Sequence, residues 1–140
     1  MKRTRFVEEK SSKKRISIAS GKAKGRELQK WMCQKISDYT GYPWGKDQPI
    51  ESRPMGQSGV DVRLSPEVLK LFPMSVECKR QENWAVPSWI EQAKTNQLRS
   101  TYWFLVMRRN REDPVVAIDG NAFFELLERL KKCGGSLRLE

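Results

Sequence analysis

The chain has 140 residues and carries 27 Lys and Arg against 17 Asp and Glu, a formal net charge of +10. It contains no histidine, which excludes Ser-His-Asp and Cys-His nucleophile systems and histidine as a general base. The three cysteines, Cys33, Cys78 and Cys133, are odd in number and far apart, so neither a zinc site nor a disulfide framework is expected. Any catalysis must therefore use carboxylates, lysines or a metal held by oxygen atoms.

The length and the apolar content fit one domain with one hydrophobic core. The sequence has no apolar run of about 18 residues, so a transmembrane helix is not expected. No apolar segment of the kind found in signal peptides follows the basic N-terminus. We therefore expect a soluble, cytoplasmic protein.

The positive charge is concentrated near the N-terminus. Residues 1–26 carry ten Lys and Arg against two acids, a net of +8, whereas the remaining 114 residues carry seventeen against fifteen. Residues 1–20 also lack a sustained apolar period and are predicted to be a flexible arm ahead of a single domain at 21–140. Such an arm is expected to bind polyanions by releasing counterions, and the alternative is a solvated tail.

The first predicted helix runs from about Gly25 to Tyr39 and ends at Gly41. Its stripe consists of Leu28, Trp31, Met32, Ile36, Tyr39 and the stem of Lys35. Glu27 lies beside this stripe, so its carboxylate is expected along the edge of the buried face. Residues 40–57 are rich in Gly, Pro and Ser and are predicted to form a long loop, which in compact domains is often functional.

Two strands are predicted next. Alternating apolar residues predict strands at 59–64 and 74–80, joined at 65–72 by a helical turn or a loose connection. Because side chains alternate along a strand, Glu77 and Lys79 are expected on the same face.

The second half is predicted to contain a helix from Pro87 to about Arg99, strands at 102–107 and 115–118, and a last helix between Asp119 and Gly134-Gly135. The residues of the last helix that are expected to be buried are Phe123, Phe124, Leu126, Leu127 and Leu130. The apolar run at 102–107 is typical of a central strand covered on both faces. The predicted fold is α/β, in the order α-β-β-α-β-β-α, with helices packed on a central mixed sheet.

The pattern that points to chemistry is Gly59-Val60-Asp61-Val62, followed sixteen residues after Asp61 by Glu77-Cys78-Lys79. Mg²⁺ prefers hard oxygen ligands and keeps several waters, so two carboxylates from neighbouring strands can hold it. Cys78 offers its backbone carbonyl as a further ligand, and Lys79 can orient an attacking water and offset charge on a phosphate. The alternative is an ordinary exposed Glu77–Lys79 pair, since such a pattern also recurs by chance.

These residues resemble the PD-(D/E)xK nuclease superfamily, and within it the small Holliday junction resolvases of archaea and phages. The resemblance is carried by Glu27, Ser58-Gly59-Val60-Asp61 and Val76-Glu77-Cys78-Lys79, and it spans about residues 22–108. Val60 stands where the superfamily motif has proline. The resemblance implies a restriction-endonuclease-like core, Mg²⁺-dependent hydrolysis of DNA phosphodiesters, with Mn²⁺ as an alternative metal, and a homodimer.

The resemblance also implies a role for each site residue. Asp61 and Glu77 are expected to be the principal metal ligands, and Glu27 to complete the metal site directly or through water. Lys79 is expected to position the water and stabilise the transition state. Gln92, on the helix after the second strand, resembles a polar residue that many members place near the site, and a solvated helix residue is the alternative.

Several basic and polar residues are candidate DNA contacts: Lys13, Lys14, Arg15, Lys22, Lys24, Arg53, Ser58 and Arg80. Contacts of this kind hold the backbone but carry little sequence information. Trp84 and Trp89 are candidates for stacking on bases or for a dimer interface, and core packing is the alternative.

Three functions remain open on the sequence. The first is a Holliday junction resolvase, which in a phage would act in the host cytoplasm. The second is another PD-(D/E)xK nuclease that nicks DNA or cuts single-stranded or branched DNA. The third is a non-enzymatic nucleic-acid-binding protein in which the acids are structural. Cleavage of a four-way junction and a linear duplex, with and without Mg²⁺, separates the three.

Overall fold

The computed structural model describes residues 18–54 and 58–135. Lys13, Lys14 and Arg15 lie outside the described residues. The described elements are α1 (Ile18–Thr40), β1 (Ile50–Ser52), β2 (Val62–Leu64), α2 (Pro66–Leu71), β3 (Met74–Arg80), α3 (Val86–Thr95), β4 (Tyr102–Arg108), β5 (Val115–Ile118) and α4 (Gly120–Lys132). None of the helices within these ranges is long and apolar enough to cross a membrane.

Strand β4 is the central strand of a mixed three-stranded sheet in the order β3-β4-β5. It pairs parallel with β3, where Glu77 is opposite Leu105, and antiparallel with β5. Strands β1 and β2 form a separate antiparallel pair. The backbone N–H of Asp61, just before β2, donates to the Val76 carbonyl at 2.9 Å and connects this pair to the free edge of β3. The predicted mixed sheet with helices is confirmed.

The two faces of β4 belong to two cores, as the continuous apolar run predicts. Val106 packs with α1 and β3 in one core. Leu105 and Met107 point to the other face and pack with Trp89 and Ala93 of α3. Helices α1 and α3 therefore cover opposite faces of the sheet, and β3 lies between them.

Helix α1 begins at Ile18, earlier than the predicted start at Gly25. The added turns contain alanine and lysine, which favour helix, but their apolar residues do not recur at a sustained helical spacing. The predicted stripe is wrong at Tyr39, which is 70% exposed, whereas Cys33 is fully buried. The predicted end is confirmed, since the Gly41 N–H donates to the Ser37 carbonyl at 2.8 Å with a positive φ at Gly41.

The predicted loop at 40–57 contains strand β1, which the sequence analysis missed. Ile50 is fully buried, but its neighbours Glu51 and Ser52 give no apolar alternation. The strand exists because of its pairing with β2, which local sequence does not encode. Strand β2 is shorter than predicted and leaves Asp61 just outside it.

Helix α4 starts as predicted, with the Asp119 side chain accepting the Ala122 N–H at 3.1 Å. Its predicted burial is wrong at three positions: Phe123, Phe124 and Leu130 are exposed. Only Ala122 is buried, because no element within the described ranges covers the outer side of α4. Helix α3 is also shorter than predicted and ends at Thr95.

Candidate active site

Asp61 is fixed to the edge of β3 by hydrogen bonds on three sides. Its N–H donates to Val76 at 2.9 Å, and its carbonyl accepts the Arg53 N–H at 2.9 Å. Its carboxylate Oδ2 accepts the Cys78 N–H at 2.7 Å. The Asp61 side chain therefore lies along β3, which is the strand that carries the second acid.

Glu77 is 4% exposed, which is unusual for a carboxylate. Its Oε1 lies 3.7 Å from Lys79 Nζ, so strand alternation does place the two on one face. Its Oε2 accepts a hydrogen bond from Asn96 Nδ2 at 3.4 Å. A cation and an amide thus hold one oxygen each of a carboxylate that is largely removed from water.

Burial is the main perturbation at both acids. It raises the pKa of Asp61, against which the Cys78 N–H, then Lys79 and Arg53, act to lower it. Burial also raises the pKa of Glu77, and repulsion from Asp61 raises it further, while Lys79 and Asn96 lower it. The charge of Asp61 therefore acts on Glu77. A cation between the two carboxylates would offset both the cost of burying their charges and the repulsion between them.

The donor set fits a hard divalent cation. Within one strand residue the N–H and C=O point to the same edge, so the Cys78 carbonyl faces the same edge as the N–H that binds Asp61. Two carboxylates and one carbonyl are oxygen donors of the kind that Mg²⁺ accepts while keeping waters. Over residues 18–54 and 58–135, no group of three or more His, Cys, Asp or Glu side chains is assembled. The Cys78 side chain packs against the core of α1, on the face of β3 opposite Glu77, and burial raises the pKa of its thiol.

Arg53 lies close to Gly59, two residues before Asp61, and its charge acts on Asp61. An added Cβ at Gly59 would lie 2.6 Å from Arg53 Nη1, and Gly59 has a φ of +98°. Glycine at this position therefore lets the guanidinium approach the backbone next to the acid. The positive charge of Arg53 acts on the Asp61 carboxylate and lowers its pKa, and the predicted contact of Arg53 with DNA stays a prediction.

Glu27 is placed differently from the expectation. It is exposed on α1 rather than at the edge of the buried face. The buried polar residue of α1 is Gln29, which is 2% exposed and accepts a hydrogen bond from Ser52 Oγ at 2.7 Å. The reason is helical phase, because Gln29 falls on the side of Cys33 and Met32. The role of Glu27 in metal binding stays a prediction.

Gln92 is exposed on α3, and the residue of this helix that contacts Glu77 is Asn96, one turn later. The signal was present in the sequence, because Trp89, Ala93 and Asn96 recur at helical spacing. Trp89 is buried in the core of α3, which confirms core packing as the alternative for that residue. Trp84 instead stacks under Arg109, whose guanidinium lies 4.3 Å from the ring centre.

The remaining predicted DNA contacts within the described ranges lie on several elements. Lys22 and Ser58 are exposed, and Lys24 is half-buried on α1. Arg80 ends β3 directly after Lys79 and donates to Asn110 Oδ1 at 2.7 Å. Lys24 and Arg80 therefore bring positive charge to the end of β3, three residues after Glu77.

A family model described as "Phage putative PDDEXK endonuclease" matches residues 20–134. The matched stretch contains Asp61, Glu77 and Lys79. No curated protein and no solved structure matches the chain.

Proposed function

The chain belongs to the phage PDDEXK endonuclease family, and on that basis we propose that it cleaves DNA with a divalent metal at Asp61, Glu77 and Lys79. Membership makes it a nuclease-type hydrolase. The observation that best supports the residue assignment is the buried Glu77 with Asp61 beside it at one edge of β3, and Lys79 Nζ 3.7 Å from Glu77. A structural ion pair would not require a second acid whose charge raises the pKa of the first.

The proposed metal ligands are Asp61, Glu77 and the Cys78 carbonyl, with Mg²⁺ as the expected ion and Mn²⁺ as the alternative. The chemistry that such an ion supplies when bound is polarisation of the phosphoryl oxygen and activation of water. Glu27, which is exposed on α1, is proposed to complete the metal site directly or through water.

The chain's own residues have separate tasks in this proposal. The Cys78 N–H and the Arg53 backbone hold Asp61 in place, so the carboxylate needs no reorganisation during the reaction. Asn96 holds the second oxygen of Glu77. Lys79 orients the attacking water and offsets the charge that develops on the phosphate. Gln92 is proposed only as a polar contact to DNA near the site.

For the substrate we propose a four-way DNA junction, cut by a homodimer in the host cytoplasm. The support for a junction is the resemblance of the Glu77-Cys78-Lys79 strand and its helix–strand–strand context to small resolvases. Candidate contacts to the backbone are Lys22, Arg53 and Ser58, together with Lys13, Lys14 and Arg15 outside the described residues. Another branched, nicked or single-stranded DNA is the competing substrate.

The decisive experiment compares the wild-type chain with Asp61→Asn on a labelled four-way junction and a matched linear duplex, with Mg²⁺ and with EDTA. We expect paired cuts on the junction that are lost in EDTA and in Asp61→Asn. DNA binding by this variant should be kept or tightened, because a carboxylate that repels the phosphate is removed.

The matched control is Asp113→Asn, which removes an exposed carboxylate from the β4–β5 turn and should cut like wild type. If Asp61→Asn cut as fast as wild type, the site assignment would be wrong. Equal cutting of junction and duplex would keep the nuclease and reject the junction preference. Binding without metal-dependent cutting would favour a non-enzymatic DNA-binding protein.

A further inference from the structure

Three residues from distant parts of the chain meet at the C-terminal end of β3. Lys24 of α1 donates from Nζ to Asn110 Oδ1 at 2.9 Å. Arg80, the last residue of β3, donates from Nη2 to the same oxygen at 2.7 Å. Two cationic groups thus converge on one neutral amide oxygen, which satisfies donors but neutralises no charge.

The acids around this cluster do not balance its charge. Glu82 is the carboxylate in contact, with Oε1 3.5 Å from Arg80 Nη1 and accepting the Asn110 N–H at 2.9 Å. Lys24 forms no ion pair with any residue that the structure describes. Arg108 and Arg109 lie next in the chain to Asn110 and add positive charge. The cluster is therefore net positive and already oriented toward an acceptor oxygen.

The cluster lies beside the acid pair but on the other face of β3. Side chains alternate along the strand, so Arg80 points with Cys78 toward α1, whereas Lys79 points with Glu77 toward α3. Three residues of extended strand separate Glu77 from Arg80, which corresponds to about 10 Å. A DNA strand has one phosphate for about every 3.4 Å of helix axis, so a strand crossing this end of β3 can reach both places.

We propose that Lys24, Arg80 and Asn110 form a subsite for one backbone phosphate of the DNA strand, a few nucleotides from the cleaved bond. The identification of the ligand as DNA rests on the proposed function, but the subsite does not require the metal or the cleavage step. The guanidinium fork and the ammonium replace the Asn110 oxygen with phosphate oxygens, which are the stronger, charged acceptors. Asn110 holds the two cations together in the free protein.

The test measures binding of the full chain to a labelled linear duplex in EDTA across a range of salt concentrations. The variants are Arg80→Gln, Lys24→Gln and the double variant. One phosphate contact contributes about 0.9 to the slope of log affinity against log salt. Because both cations serve one phosphate, the double variant should lose about one unit of slope, and no more than that.

Lys94→Gln is the matched control, since it removes an equal charge from an exposed, ion-paired position on α3 and should leave the slope unchanged. Asn110→Ala removes the bridge without changing charge and should also keep the slope. A loss of about two units in the double variant would mean two separate phosphates and would overturn the subsite. Equal weakening by Asn110→Ala and Arg80→Gln would show a structural clamp instead.

Two further outcomes separate this proposal from a free-phosphate site and from the nuclease proposal. Saturation by inorganic phosphate at constant ionic strength, with an unchanged slope in the double variant, would indicate a free-phosphate site and overturn the DNA subsite. The expected slope loss together with absent Mg²⁺-dependent cutting would support the subsite while rejecting the nuclease proposal. The two proposals therefore fail by different measurements.

Discussion

At the scale of single residues, the fold places Asp61 and Glu77 in surroundings that disfavour their charged forms. Burial raises the pKa of both, and Asp61 raises that of Glu77 further. The folded protein therefore binds these protons more tightly than the unfolded chain does. Their contribution to stability is present below the ordinary carboxyl pKa and is lost as the pH rises through the raised pKa.

We therefore predict that Glu77→Gln stabilises the metal-free protein at neutral pH while abolishing cleavage. The amide keeps the size of the side chain and a partner for Asn96 but carries no charge beside Asp61. As the pH falls to the ordinary carboxyl range, the gain should shrink, because wild-type Glu77 is then protonated as well. Thermal unfolding in EDTA over a pH series measures this difference.

The matched variant is Glu91→Gln, which removes an exposed carboxylate from α3. Its effect should stay within about 0.5 kcal/mol at every pH, as is usual for surface substitutions. A Glu77→Gln protein that is less stable than wild type at neutral pH would contradict the prediction, and Glu77 would then be a structural ion-pair partner of Lys79.

Asn96 is predicted to tune metal binding although it does not bind the metal. It donates to Glu77 Oε2 and so fixes the orientation of the carboxylate. Residues that orient metal ligands cost about 10–100-fold in metal affinity when they are removed. Asn96→Ala should therefore weaken Mn²⁺ binding by at least about tenfold in a calorimetric titration.

Gln97→Ala is the control for this substitution, because Gln97 is in the same turn and donates to the Thr101 carbonyl instead. It should change stability slightly and leave the metal affinity unchanged. Equal losses of metal affinity in the two variants would mean that the turn as a whole, rather than the Asn96–Glu77 hydrogen bond, supports the site.

At the scale of elements, the helices and strands whose own sequence carries a regular apolar pattern could be predicted. Strand β3 alternates apolar and polar residues along its sequence and has the predicted bounds, Met74–Arg80. Strand β4 is a continuous apolar run because both of its faces are covered. The Glu77–Lys79 pair follows from the same alternation, since a period of two fixes which side chains share a face.

Elements that depend on distant partners could not be predicted in this way. Strand β1 forms because Ile50, Glu51 and Ser52 pair with β2, although their own pattern is that of a loop. The helical spacing of Trp89, Ala93 and Asn96 indicates that they share one side, but the contact of that side with Glu77 on β3 follows only from the three-dimensional packing. The burial of Gln29 instead of Glu27 depends on the exact phase of α1 against the sheet.

Gly59 connects β1 to the site, and we predict that Gly59→Ala destabilises the protein and slows cleavage. Its φ of +98° is unfavourable for alanine, and the added Cβ would lie 2.6 Å from Arg53 Nη1. Strain of this kind costs about 1–3 kcal/mol. Denaturant unfolding measures the loss, and a cleavage assay reports whether the displaced Arg53 affects the acid site.

Gly21→Ala is a control with the opposite sign. Gly21 lies within α1, and an added Cβ there meets nothing within 4 Å among the described atoms. Alanine should stabilise the helix by about 0.5–1 kcal/mol and leave cleavage unchanged. If both variants were equally stable, the conformation of Gly59 would not be constrained by the site.

At the scale of the whole molecule, positive charge is built into helix α1 as well as into the sequence that precedes it. Because α1 starts at Ile18, Lys22, Lys24 and Arg26 belong to a helix that reaches the end of β3. These cations thus have fixed positions relative to the acid pair. They are expected to position DNA relative to that pair, because contacts to phosphates fix the register of a protein on the duplex.

Several exposed apolar residues within the described ranges lie on β5 and α4. They are Val115, Val116, Phe123, Phe124 and Leu130. Phe123 and Phe124 also contact each other edge to face, with ring centres 5.4 Å apart. Exposed apolar residues grouped in this way commonly mark an interface, and the proposed homodimer offers an identical surface as its partner.

We predict that Phe124→Lys converts a dimer into a monomer with the same fold. Phe124 is 65% exposed, so a lysine costs the monomer little, whereas at a two-fold interface it would bring two charges together. Sedimentation velocity at several concentrations measures the change. Leu71→Lys, at an exposed position of α2, is the control and should leave the dimer intact.

A monomeric wild-type chain would contradict the dimer, and two symmetric cuts in one junction would then require two independent binding events. Paired cuts should therefore become independent in Phe124→Lys, while nicking of single strands by each monomer continues.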